Sequence, residues 1–170
     1  MQLDPRQWTV KQRVLFIGIL VVVGVVLLIV LTRDNNRTNP TDDALTTAEK
    51  ATNEGDYDQA FETLKAAEGQ ATTNEEKIRL YNDLAASAAN AGRLQDALEY
   101  YAKKHQLDAD SRKADGYLLG ELYERTDDLQ KAIESYKLFV DYAETIPQEE
   151  FGSAQVESLK ERIKELEGQQ

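Results

Sequence analysis

The chain has 170 residues and a formal net charge of −11, with 31 Asp and Glu against 20 Lys and Arg. Five basic and four acidic residues fall in positions 1–43, which leaves 15 against 27, or −12, for positions 44–170. Such a surface repels a phosphate backbone and excludes nucleic acid as a partner. Cysteine is absent, which excludes disulfides, thiolate metal sites and cysteine nucleophiles.

Positions 1–13 form a short basic tail carrying Arg6, Lys11 and Arg13. Positions 14–31, VLFIGILVVVGVVLLIVL, are eighteen residues without a charge. As a helix they would extend about 27 Å, close to the thickness of a hydrocarbon core. Uniform hydrophobicity on every face, with Trp8 nearby and Arg13 and Arg33 at the ends, predicts a single transmembrane helix rather than a buried core helix. The basic tail also suits a secretory signal peptide, but the run ends in Leu31-Thr32-Arg33-Asp34 without a small-x-small cleavage pattern, so an uncleaved signal anchor is preferred. Three basic residues precede the span, and Arg33 and Arg37 closely follow it. That bias expects a bacterial cytoplasmic membrane protein whose C-terminal domain is extracytoplasmic.

Positions 32–43, TRDNNRTNPTDD, lack apolar periodicity and contain Pro40, so they read as a polar linker. Asn36-Arg37-Thr38 matches a glycosylation sequon and is assigned no function. Beyond the linker, Ala, Leu, Glu, Gln, Lys and Asp dominate, which predicts an all-α domain.

This domain repeats itself. GDYDQAFE from Gly55, GRLQDALE from Gly92 and DDLQKAIE from Asp127 share one pattern, with Ala60, Ala97 and Ala132 separated by 37 and 35 residues. Each unit reads as a helix, a tight turn and a second helix, over about 41–76, 77–111 and 112–145. Gly55 and Gly92 suit the left-handed end of a first helix, and Asp56 and either Asp127 or Asp128 suit the cap of the next. Thr73-Asn74-Glu75-Glu76 predicts a capping box. Ala48, Ala85 and Gly120 in the first helices, and Ala60, Ala97 and Ala132 in the second, predict closely approaching backbones, with Leu64, Tyr101 and Tyr136 filling the space beside them.

With these residues the chain resembles the tetratricopeptide repeat family, over roughly positions 41–145. Tyr81-x-x-Leu84-Ala85-x-x-Ala88 with Ala97-x-x-x-Tyr101, and Leu119-Gly120-x-x-Tyr123 with Ala132-x-x-x-Tyr136, carry the resemblance. The first unit is degenerate, with Thr47 in place of the usual Leu, and the family's Pro after the second helix is missing from all three units. The resemblance implies an α-solenoid whose concave wall is built from the first helices and binds a peptide or partner helix. Positions in the groove-facing phase are Glu49, Asn53, Arg79, Asn82, Asn90, Tyr117, Glu121 and Arg125; each also suits ordinary solvated helix surface. The chaperone-tail clamp of the family would need Lys and Asn where Leu45, Glu49 and Asp83 stand, so a terminal carboxylate is disfavoured as ligand.

Pro147 is expected to open a last helix over 147–168. Its apolar positions Val156, Leu159, Ile163 and Leu166 suit a helix capping the solenoid; the alternative is a short coiled-coil seam. His105, the chain's one histidine, reads as a packing or groove-edge residue, and Asp108, Asp110 and Ser111 lack the glycine and distal Glu of a calcium loop. No catalytic residue, metal ligand, cofactor or small-molecule substrate is nominated. The expected function is a non-enzymatic scaffold or adaptor for a membrane or envelope assembly, binding a protein in its groove; the alternative is a chaperone-like holdase near a protein translocon.

Overall fold

The computed structural model describes residues 39–146 and 153–169. The expected membrane span at 14–31, its basic tail, most of the linker and the opening of the last helix at Pro147 lie outside the described residues. Among those described, no helix is long and apolar enough to cross a membrane.

The described chain is all-α. Its helices are α1 (Pro40–Asn53), α2 (Tyr57–Ala66), α3 (Asn74–Asn90), α4 (Leu94–Leu107), the single turn α5 (Ser111–Ala114), α6 (Gly116–Arg125), α7 (Leu129–Ala143) and α8 (Ser153–Glu167), with a 3-10 turn at Glu68–Gln70 after α2. No strand occurs among the described residues. Pro40, read from sequence as a loop mark, is instead the first residue of α1. Proline suits that position because its missing N–H would have no partner in the first turn and its fixed φ is already helical. The unit boundary expected at 76/77 falls inside α3, because Thr73 caps that helix: Thr73 Oγ1 accepts from Glu76 N at 3.2 Å while Glu76 Oε2 accepts from Thr73 N at 3.1 Å.

Three helical hairpins, α1/α2, α3/α4 and α6/α7, turn by the same device. The turn residues Gly55, Gly92 and Asp127 have φ of 79°, 78° and 60°. The next residue then donates its backbone N–H five residues back, Asp56 to Ala51 at 2.9 Å, Arg93 to Ala88 at 2.8 Å and Asp128 to Tyr123 at 2.9 Å. These bonds satisfy carbonyls that a helix end leaves orphaned. Asp56 and Asp128 then cap α2 and α7, accepting from the N–H groups of Gln59 at 3.0 Å and Lys131 at 3.3 Å.

Small residues let the helices of each hairpin meet. Ala60, Ala97 and Ala132 are fully buried, as is Ala85, and Ala48 and Gly120 are buried with them. Leu64, Tyr101 and Tyr136 are buried beside them. Successive hairpins stack α2 on α3 and α4 on α6, and α7 in turn packs on α8. One apolar cluster runs through α1–α4 and takes in Leu119 and Leu122 of α6; a second joins α7 to α8, and Tyr123 packs on both. Val156, Leu159, Ile163 and Leu166 all belong to the second cluster, so the apolar stripe of α8 is covered by its own chain and offers no seam to a coiled coil.

Cations of each later hairpin reach back to the one before. Arg79 of α3 meets Asp42 of α1 at 3.4 Å, and Arg93 meets Asp58 and Glu62 of α2, each at 2.8 Å, with its guanidinium 4.6 Å from the Phe61 ring centre. Arg125 of α6 donates to the Ala89 carbonyl of α3 at 3.0 Å, and Arg162 of α8 pairs with Glu124 of α6. Exposed pairs of this kind contribute about 0.2–1 kcal/mol each, so they set the register between hairpins more than they hold the domain together.

Candidate functional site

An open cleft of about 1160 Å³ lies between α6, α7 and α8. Its existence follows from two glycines. A Cβ at Gly116 would stand 2.5 Å from the Ser135 carbonyl oxygen, and one at Gly120 2.2 Å from the Tyr136 ring. With neither Cβ present, α6 sinks onto α7 and leaves a trough between α6 and α8. The buried rings of Tyr136 and Phe139 line its apolar base, Leu159 lines the α8 side, and Tyr117 stands on the α6 side with 41 % of its surface exposed. The Tyr117 ring centre is 6.0 Å from that of Tyr136 and 5.9 Å from that of Phe139, inside the range where aromatic pairs attract.

Polar groups of the cleft are largely committed to one another. Tyr136 donates its hydroxyl to Glu124 Oε1 at 2.7 Å, two Arg162 nitrogens grip the same carboxylate, and the third meets Glu165 at 3.0 Å. The Arg162 guanidinium holds the Glu124 carboxyl below its usual range, while burial and the hydrogen bond to Glu124 push the Tyr136 phenol up. Glu121 accepts from the Tyr117 hydroxyl, a bond that raises the Tyr117 pKa. Gln155 and Ser158 of α8 complete the rim. The arrangement is one of recognition: an apolar base, hydrogen-bonding rim groups and a carboxylate beside an exposed ring.

Of the groove residues expected from sequence, Tyr117, Glu121 and Arg125 come together in this cleft. The others do not join them. Glu49 and Asn53 are exposed on α1, Arg79 and Asn90 are exposed on α3, and Arg79 is paired with Asp42. Asn82 is half-buried and accepts from Lys104 Nζ at 3.0 Å. Sequence reasoning missed Glu124, Gln155, Ser158 and Arg162, which line the cleft, and took Tyr136 only for a packing residue.

A second cluster lies buried between α4 and the start of α6. Lys104 Nζ is 2.7 Å from Asp115 Oδ2, and His105 Nε2 is 2.8 Å from the same oxygen. His105 is therefore one of three groups in a polar network rather than a simple packing residue. Burial alone would raise the Asp115 pKa, but hydrogen bonds from His105 and Lys104 outweigh it and hold the carboxyl below its ordinary value. The nearby Tyr101 phenol is pushed up to about 12, first by burial and then by the Asp115 charge. Asp108 Oδ1 accepts locally from Ser111 N at 3.3 Å, and no cluster of metal-ligating side chains occurs among the described residues.

No protein-family model matches the chain, and no curated protein matches it.

Proposed function

We propose that this chain is a non-enzymatic, membrane-anchored repeat protein of the tetratricopeptide type, an adaptor that holds a protein partner at an envelope membrane. The uncharged run at 14–31 is its single-pass signal anchor, and the domain that follows lies outside the cytoplasm. Three hairpins with the same turn and the same small residues at their interfaces support the solenoid reading, with α8 as its cap.

The cleft between α6, α7 and α8 carries the functional reading. At about 1160 Å³ and open to solvent, it exceeds the ~300–1,000 Å³ of enclosed small-molecule sites and suits a run of side chains from another protein. Its base is apolar and its rim polar, the distribution expected of a recognition surface. The test is purification of the tagged full-length chain from its native membrane after alkaline carbonate washing. The chain is expected in the pellet with one stoichiometric partner that Tyr117→Ala loses and Glu134→Ala keeps. Release by carbonate would overturn the anchor. A mixture of unrelated clients, together with suppression of their aggregation, would replace the adaptor with a holdase.

A further inference from the structure

We propose that the occupant of the cleft is a protein segment in which an aromatic or large aliphatic side chain stands beside a basic one. This rests on the reading of the cleft as a docking site and adds the chemistry of what docks.

The apolar half of the requirement comes from Tyr117. Its ring is 41 % exposed although it lies within stacking reach of two buried rings, so a flat or bulky side chain entering the cleft would extend an existing aromatic cluster. The basic half comes from how the charged groups of the lining are engaged. Arg162 is held between Glu124 and Glu165, and Arg125 is drawn toward α3 by the Ala89 carbonyl. The charged groups lining the cleft are two carboxylates, Glu121 and Glu124, and two guanidiniums, Arg125 and Arg162, both of the latter already engaged. Of the two lining carboxylates, Glu121 is the one bonded to a neutral donor, the Tyr117 hydroxyl, and it forms no ion pair among the described residues.

An entering cation would meet Glu121 and the Tyr117 ring together. The domain already uses that geometry elsewhere, with Lys103 Nζ 4.4 Å from the Tyr100 ring centre while bonded to Glu68 at 3.0 Å. An entering anion would instead face an uncompensated carboxylate, inside the field of positions 44–170 with their 27 acidic and 15 basic residues. Such a field speeds the approach of basic segments and rejects acidic ones.

The test uses the full-length chain in nonionic detergent and two fluorescein-labelled Gly/Ser peptides, one carrying Leu-Phe-Arg-Arg and the other Leu-Phe-Glu-Glu, with anisotropy as readout. The basic peptide is expected to bind about tenfold more tightly than the acidic one at low salt, and the difference to shrink as salt is raised. Glu121→Gln keeps the acceptor for Tyr117 and is expected to weaken the basic peptide about three- to fivefold, the scale of one exposed charge pair, without weakening the acidic one. Tyr117→Ala should weaken both. Equal binding of the two peptides, or no effect of Glu121→Gln, would overturn the basic requirement while leaving the docking site standing. Failure of both peptides to bind, or binding that ignores Tyr117→Ala, would overturn the docking site as well.

Discussion

Gly120 lies so close to Tyr136 that a Cβ built on it would stand 2.2 Å from the ring, and this one approach sets both the depth of the α6/α7 interface and the base of the cleft. Gly120→Ala gains about 1 kcal/mol in helix propensity and loses more by pushing a buried ring against its neighbours. A net destabilisation of about 1–2 kcal/mol is expected. Denaturant midpoints check it, with Gly69→Ala as the control, because nothing lies within 4 Å of a Cβ there. Tyr136 also donates to Glu124, so the same substitution should disturb the cleft and weaken the basic peptide.

The buried pair of Lys104 and Asp115 gives stability a defined pH dependence. Because the Asp115 carboxyl is held below its ordinary value of 3.8, the folded state binds fewer protons there than the unfolded state. The contribution is complete above that ordinary value and is lost as pH falls through the lower, folded one. Asp115→Asn leaves Lys104 buried without its counter-charge and should cost about 3 kcal/mol at neutral pH. The gap between variant and parent, measured by urea denaturation, should narrow as the solution is acidified toward pH 3. A gap that widened in acid would refute the assignment.

Asp127 occupies with φ 60° the position that Gly55 and Gly92 fill in the other two hairpins. A side chain in that region is strained, whereas glycine is not. Asp127→Gly is therefore expected to stabilise the domain by about 0.5–1 kcal/mol, the balance of relieved strain against a more flexible unfolded chain. Asp128→Gly should do the reverse, because Asp128 caps α7 through Lys131 N at 3.3 Å. Thermal midpoints of the two variants should move in opposite directions.

The hairpins were legible because each is written locally: a left-handed turn residue, a capping Asp next to it and an alanine at the interface. The third turn was ambiguous for a physical reason, since adjacent aspartates at 127 and 128 suit a cap equally well until the backbone assigns the left-handed position to one of them. Tyr117, Glu121 and Arg125 could be named because they share one phase of α6. Gln155, Ser158 and Arg162 could not, because their part depends on how α8 docks, and in sequence they are ordinary polar positions of an amphipathic helix. The network of Lys104, His105 and Asp115 was hidden likewise: its members are separated by a connection and the single turn of α5, and no spacing rule joins them.

Docking of a protein partner in the cleft between α6, α7 and α8 can be read by photocrosslinking in living cells. A photoreactive amino acid would be placed at Ser158 on the cleft rim and, separately, at exposed Glu134 of α7. One discrete crosslinked species is expected from Ser158, lost when Tyr117→Ala is added, and none from Glu134. No crosslink from Ser158, or the same species from both positions, would contradict docking there.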